Sequence, residues 1–383
     1  MPPAPAWHVL TGEYPPQPGG VSDYTRQVAL ALVRAGQGVH VWAPGAAGTH
    51  VEDGVTVHRI PGLYTPVGLA KLTRGLDGCA GPRRLLLQYV PHAFGMKAMN
   101  VPFCAWFAAR SRDQRWVFLH EVVYPWSPRA PLRHQVLAGT TRVMLRLVAG
   151  AADRVFVSIP AWKAHLPAGA RRDAAWHPVP SNLPTEVPEA AVRTVRSGLG
   201  PGKVLGHFGT YGTAIGGLLE PVLVPLLHAD PERQALLLGR GGRSFREALV
   251  ARHPELAGRV HATGGLAPED TAAHLRACDL LLQPYPDGVS ARRGSVMAGL
   301  GLGLPVVTNT GHLTEPMWRE LRAVELVEGT APAPLVAATE RLLADAGART
   351  ALGERAARVY RERFALERTV EALLRPGPEG ATS

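Results

Sequence analysis

Cysteine and lysine are both scarce in this chain of 383 residues. The three cysteines, Cys79, Cys104 and Cys278, are far apart and odd in number, and no two show the spacing of a metal or redox pair. They read as reduced, mostly buried thiols, which excludes a disulfide framework and suits a cytosolic protein. A charged-then-apolar leader is also missing, since Trp7-His8-Val9-Leu10 runs straight into Glu13-Tyr14-Pro15-Pro16. A cytoplasmic location is therefore expected. The longest uncharged stretch worth testing as a membrane span, Val296 to Thr314, is interrupted by glycines, Pro305 and polar side chains. It does not suit a spanning helix. No Asp-x-Asp motif or histidine cluster offers a metal site, and no recognisable nucleic-acid module is present.

What is present suits a globular chain with a large interior. Hydrophobic residues make up 46%, and the length fits two domains of similar size better than one core. Only Pro376–Ser383 has nothing to bury and reads as a flexible tail. The net charge of +10 is unevenly placed. Residues 1–180 hold 19 Arg and Lys against 9 Asp and Glu, whereas residues 181–383 hold 22 of each kind. Almost all the basic residues are arginine. Such an excess suits an anionic membrane surface or a phosphorylated acceptor. The basic residues are scattered rather than clustered, which argues against nucleic acid.

Two halves repeat one grammar of apolar strand, Gly/Pro-rich turn and amphipathic helix. In the first half, strands are expected at Trp7–Thr11, Val39–Ala43, Val55–Ile60, Leu85–Tyr89, Trp116–His120 and Arg154–Ser158, with a helix over Tyr24–Ala35. In the second half they are expected at Val204–Phe208, Gln234–Leu238, Arg259–Ala262, Asp279–Gln283 and Pro305–Thr308. The intervening helices are placed near Leu218–His228, Ser244–Arg252, Pro268–Ala277, Gly294–Leu302 and Ala333–Ala344. Strands alternating with helices imply parallel sheets covered on both faces. Proline at 178, 180, 184 and 188, with a weak helix over Glu189–Ser197, marks a linker. The expected division is 1–180, a linker over 181–202, and 203–357; a last helical pattern, Glu354–Leu374, breaks near Phe364.

Six segments in register resemble the large, mostly retaining GT-B glycosyltransferases of family 4, or group 1. They are Glu13–Tyr24, Phe118–Glu121, Leu236–Gly242, Thr263–Leu266 followed by Ala277–Pro284, Gly303–Thr308, and Arg363-Phe364 with its flanking helix. The resemblance implies an α/β protein of two doubly wound, Rossmann-like domains facing across a cleft, with the helix about 358–374 packing back on the first. It implies an acceptor side in the first domain and a nucleotide-sugar donor side in the second, with no metal cofactor. The donor would be a nucleotide-diphosphate sugar and the acceptor a glycan, a lipid-linked molecule or a small molecule. Transfer of a hexose, with retention, is the expected reaction, in the service of polysaccharide biosynthesis and with the protein peripheral on the inner face of the membrane.

Candidate site residues follow from both readings. Gly19 and Gly20 precede a helix, where backbone amides and the helix start favour an anion; in relatives this loop lies beside the donor diphosphate. His120 ends a strand and resembles the histidine that sits over the donor sugar, with Glu121 a second candidate. Pro284–Ser295 is the richest segment. Arg292, Arg293, the amides of Gly294 and Ser295, and a hydroxyl together suit a pyrophosphate. Gly209, Tyr211 and Arg240 follow the first two strands of the second half, and Gly264 and Leu266 line the nucleotide base in relatives. The sequence departs from the family at its paired glutamates: Ser290 and Ala298 stand at those positions. Asp287 is the nearest acid and the candidate to take over a sugar contact. Glu315 reads equally as a structural cap or a ligand. An epimerase or hydrolase of the same fold, and a non-catalytic binding homologue, are the rival readings.

Overall fold

The computed structural model describes residues 5–375; the expected tail at 376–383 lies outside the described residues. The chain forms two compact units, one of residues up to Pro178 together with those from Leu366 onward, the other of Val179–Ala365.

In the first unit β1 (Ala6–Leu10), β2 (Val39–Pro44), β3 (Gly48–Glu52), β4 (Val55–Ile60), β5 (Arg83–Tyr89), β6 (Gln114–Leu119), β7 (Arg154–Val157) and β8 (Ala175–Trp176) form one sheet. Its order is β3-β4-β2-β1-β5-β6-β7-β8, and every neighbouring pair is parallel except β3–β4. The inner strands are apolar runs because both faces are covered: Leu85, Leu86 and Leu87 are all fully buried. Near the strand starts, cations and rings alternate across the sheet. The Arg84 guanidinium lies 4.6 Å from the Trp7 ring and 4.4 Å from that of Trp116, which Arg154 approaches at 4.4 Å. Such pairs let charged side chains cover apolar rings while staying charged.

The antiparallel β3 is absent from the sequence reading, although Asp53-Gly54, with φ of 49° and 84°, is a hairpin turn closed by Glu52 and Val55. Its side chains are mostly exposed, so no hydrophobic alternation announces it. The helices Pro66–Asp77, Val101–Ala108 and Leu132–Ala151 complete this unit's covering layers.

The second unit holds β9 (Val204–Phe208), β10 (Gln234–Leu238), β11 (Val260–Gly264), β12 (Leu280–Gln283), β13 (Val306–Asn309) and β14 (Glu325–Val327). All are parallel, in the order β11-β10-β9-β12-β13-β14. In both sheets the order of strand addition therefore reverses beside the first strand, between β1 and β5 and between β9 and β12. Helix Thr213–Ala229 begins earlier than the periodicity implied and carries Pro221 and Pro225 inside it. Both prolines lie on its exposed side, so the hydrogen bonds they omit fall toward water.

The proline-rich segment after Pro178 lies with the second unit. There Arg196 donates to Gly202 O at 2.7 Å and Ala277 O at 3.1 Å and pairs with Asp279 at 3.1 Å. The last helical pattern divides into Ala346–Val359, a π turn over Tyr360–Phe364, and Leu366–Leu374. Phe364 is fully buried against Trp318, and extended Ala365 ends the turn. The final helix lies with the first unit, where Arg154 donates to the carbonyls of Ala372 and Arg375 at 3.4 and 2.8 Å. A cation at a helix C-terminus satisfies carbonyls that have no partner within the helix.

His8, His120 and His207 are buried inside the two units, and His58 and His177 are half-buried. Burial pushes His8 and His120 down to about 3 and His58, His177 and His207 down to about 4. The folded rings are neutral, whereas the unfolded chain takes up protons below pH about 6.5. Their contribution to stability is therefore complete above that pH and declines as pH falls toward the folded values. We expect a loss of about 1.4 kcal/mol per pH unit for each of the three buried histidines between pH about 6.5 and about 4, and less for the half-buried two. Urea midpoints across that window measure it, and a flat profile would contradict neutral burial of these rings.

Candidate active site

In the first unit the strand ends at the sheet reversal gather Glu13, His92, His120 and Glu121. The helix Gly20–Arg34 starts here, with Gly19 before it. Its anion is the chain's own: Glu13 Oε1 accepts from Ser22 N at 3.2 Å, and a Cβ on Gly19 would lie 2.5 Å from that oxygen. A carboxylate favours a helix start for the same reason a phosphate does. A diphosphate at Gly19 and Gly20 thus has to displace Glu13.

His92 follows β5, and its Nδ1 lies 3.2 Å from Glu121 Oε2, which follows β6. The hydrogen bond to Glu121 lifts the His92 pKa above the ordinary histidine value, against the opposing effect of partial burial; the charges of Glu121 and Glu13 add to the lift. His120 differs. It is buried, its Nε2 meets Gln88 Oε1 at 2.7 Å, and Tyr24 and Phe118 enclose its ring at 4.8 and 4.7 Å. At a pKa of about 3 it is neutral, and its Nε2 hydrogen belongs to Gln88. That nitrogen does not serve as a general base. The sequence reading missed Glu13 and His92; their signal is position, just beyond the two strands where the sheet reverses.

In the second unit the loops after β9, β10 and β11 bring Gly209, Tyr211, Arg240, Gly264 and Leu266 to one end of the sheet. Tyr211 has a φ of 57°, and its hydroxyl donates to His207 O at 2.9 Å. Gly264 O accepts from Gly239 N at 3.1 Å. Arg240 is exposed beside Gly265, and Leu266 is partly exposed.

The loop after β12 is the most tightly built part. Asn309, at the end of β13, accepts from Tyr285 N at 2.7 Å and donates to Tyr285 O at 2.8 Å; its carbonyl accepts from Val289 N at 2.9 Å. Buried Glu315 accepts from Ala291 N at 3.0 Å and from Trp318 Nε1 at 2.8 Å. Glu315 is thus a structural fastener. Gly288, with φ 81°, crosses Gly311, where a Cβ would come within 2.3 Å of the Asp287 carbonyl carbon. Only two glycines allow that approach.

This frame presents Asp287 between two guanidinium groups. Arg292 Nη2 lies 3.3 Å from Asp287 Oδ2, and Arg293 Nη2 binds Asp287 Oδ1. Arg293 also lies over the Tyr285 ring at 4.5 Å, and the Tyr285 hydroxyl meets Ser295 Oγ at 2.6 Å. Gly294 and Ser295 head the helix Gly294–Gly301. Ser290 and Ala298, at the two glutamate positions of the resemblance, are fully buried, so no carboxylate is presented there.

A group with metal-ligand atoms does exist elsewhere. The donor atoms of His8 and His40 on the first sheet, and of Cys79 just after helix Pro66–Asp77, lie within 4.8 Å of one another, a cluster the sequence reading did not see. The His8 and His40 rings stack 8° from parallel, and Trp42 Nε1 donates to His8 Nδ1 at 3.1 Å. Parallel lone pairs do not converge on one ion, and the accepted bond places the His8 proton on Nε2. We assign it no ion.

Solved structures match almost the whole chain. Sucrose-phosphate synthase from Thermosynechococcus elongatus superposes with a TM-score of 0.71 at 18% identity, covering 97% of each chain. HepE of Anabaena, in complex with UDP and glucose, gives 0.67 at 18% identity over 97% of this chain and 98% of that one. WaaG, a glycosyltransferase involved in lipopolysaccharide biosynthesis, gives 0.67 at 15% identity over 97% and 100%. The fold is GT-B. No protein-family model and no curated protein matches the chain. The two parallel sheets that reverse beside their first strand are thus the two Rossmann-like halves of GT-B.

The loop crossing makes a direct prediction. Gly311→Ala should lower stability by about 1–3 kcal/mol through overpacking, and Glu315→Ala by about 1–3 kcal/mol for each donor left without a partner. Thermal melts measure both; wild-type melting of either variant would show that the Asp287 loop does not depend on these fastenings.

Proposed function

We propose that this chain is a glycosyltransferase that moves a hexose-type sugar from a nucleotide-diphosphate sugar to an acceptor hydroxyl, with retention at the anomeric carbon. One observation carries the proposal: Arg292, Arg293 and the start of helix Gly294–Gly301 stand together beyond β12, at the reversal point of the second sheet. Open α/β sheets bind ligands at such points. As the bond between sugar and diphosphate breaks, negative charge grows on the leaving group. Two guanidinium groups and the helix-start amides stabilise that charge more strongly than the ground state. This assigns charge stabilisation to the protein's own groups rather than to a metal.

Asp287 acts in this scheme as a positioning residue, holding the arginines at a fixed spacing before donor arrives. In the same proposal Arg240, Tyr211 and Gly209 extend the donor side, and Gly264 and Leu266 line the nucleotide base. The first unit takes the acceptor, with Glu121 and its partner His92 close to the acceptor hydroxyl and His120 a neutral, immobile wall against the sugar. HepE was solved with UDP and glucose, which makes uridine diphosphate sugars the first donors to test. An epimerase or hydrolase needs a free acid or base beside the sugar. Asp287, paired with two arginines, does not supply one; Glu121, paired with His92, is the remaining carboxylate, and release of free sugar or an epimer without acceptor would favour that reading.

Calorimetry with UDP and UDP-glucose, after a thermal-shift screen that includes GDP, dTDP and ADP sugars, tests the donor side. Arg293→Ala should weaken donor binding about 10- to 100-fold while leaving the fold intact by circular dichroism. Unchanged affinity would remove the phosphate role of Arg293. Proton NMR at the anomeric centre of the product reads retention against inversion.

A further inference from the structure

One segment of the first unit holds a backbone shape that its packing does not explain. After β5 the chain makes a short 3-10 turn, Pro91–Phe94, and then runs through positive φ at Gly95 (74°), Met96 (49°), Lys97 (52°) and Ala98 (66°). Ala98 N donates to Gly95 O at 3.0 Å and Met99 N to Met96 O at 3.1 Å, so the backbone closes a left-handed turn. A Cβ makes that hand unfavourable at every residue but glycine. The other non-glycine residues with positive φ among those described, Asp53, Tyr211 and Arg322, stand singly. Met96, Lys97 and Ala98 in succession store strain, and strain of this kind collects at ligand sites.

The strain is imposed from both ends. Phe94 is fully buried, with its ring 4.7 Å from that of Phe103 and 5.0 Å from that of Tyr64. Buried Asn100 donates to Phe94 O and to Tyr64 O, both at 2.8 Å. Its Oδ1 accepts from Phe103 N at 3.0 Å, at the start of helix Val101–Ala108. Packing does not repay the residues in between. Met96 is 58% exposed, and Lys97 is exposed as well.

Place and chemistry select what the turn meets. It begins three residues after His92. Gly12, just before Glu13, lies against Ala93, where a Cβ on it would come within 2.3 Å of the Ala93 Cβ. The turn thus opens at the strand ends that gather Glu13, His92 and Glu121. Lys97 is one of four lysines in an arginine-rich chain, and no ion pair to it occurs among the described residues. An ammonium turns its donors freely, which suits scattered hydroxyls better than a planar guanidinium does. A thioether adapts to an irregular apolar face. Carboxylates accept from hydroxyls and oppose an anion. A neutral saccharide satisfies all of these: a ring face for Met96, oxygens for Lys97 and hydroxyl protons for the acids. A sugar phosphate or uronate would bring its charge toward Glu13 and Glu121.

We propose that the turn Gly95–Ala98 is a preformed saccharide-binding element that selects a neutral sugar. That this sugar is the acceptor rests on the transferase proposal; the binding itself rests on the turn.

Saturation-transfer NMR of the full chain without nucleotide tests it. The probes are glucose, galactose, mannose and N-acetylglucosamine, beside glucose 6-phosphate and glucuronic acid. At least one neutral sugar should bind, and more tightly than either anionic one. Lys97→Gly should melt about 2–4 °C above wild type, because glycine carries no strain there. The same variant should bind the sugar about ten-fold more weakly, and its higher melt excludes misfolding as the cause. Met96→Ser should weaken binding about five-fold. Binding of no neutral sugar, preference for an anionic one, wild-type affinity in both variants, or a Lys97→Gly melt below wild type would each overturn the proposal. Calorimetry of the wild-type chain with UDP-glucose keeps the two readings apart. Sugar binding without donor binding retains the role of the turn and removes the transferase; donor binding without sugar binding does the reverse.

Discussion

Two guanidinium groups on consecutive residues repel each other unless an anion lies between them. Asp287 is that anion, and its carboxylate keeps Arg292 and Arg293 together on one loop. The constraint reaches outward from there. The loop keeps its path because Asn309 holds Tyr285 on both its amide and its carbonyl, and because Glu315 holds the Ala291 amide. It also depends on Gly288 and Gly311 crossing without side chains. The spacing of the two guanidinium groups is thus set by contacts between the ends of adjacent strands β12 and β13. A ligand diphosphate would enter a site whose positive groups are already spaced.

The first unit uses the same device at its own reversal point. Glu13 sits at the start of helix Gly20–Arg34, where the helix favours negative charge, and Glu121 is matched to His92. In both units an internal carboxylate lies near a group expected to meet the substrate. His120 takes the opposite course: burial removes its charge, so its contribution is shape and a fixed hydrogen bond to Gln88. Position on a strand end does not by itself make a histidine an acid or a base. Desolvation decided that here.

Charge is divided unevenly along the chain. The second unit balances its arginines with acids, many of them in pairs such as Arg233 with Glu340 and Arg252 with Glu220. The first unit leaves several arginines without carboxylates. A surplus of one sign acts over distances limited by salt.

The sequence by itself determined much of the architecture. Apolar runs between glycine and proline turns gave the central parallel strands, since β5, β10 and β12 are buried on both faces and read as continuous hydrophobic segments. It also marked Arg292, Arg293 and the helix start, because glycine, basic and hydroxyl residues lie within a few positions there. It did not reveal β3, whose exposed residues carry no pattern, nor the stacked His8 and His40, which come from strands more than thirty residues apart. Only the tertiary structure decided that Glu13 faces Ser22, that His92 meets Glu121, that Asp287 lies between two arginines and that Glu315 is a fastener. Periodicity and turn chemistry are properties of near neighbours in the chain. Protonation, ion pairing and burial depend on which distant strand ends the fold brings together, and no local pattern encodes that.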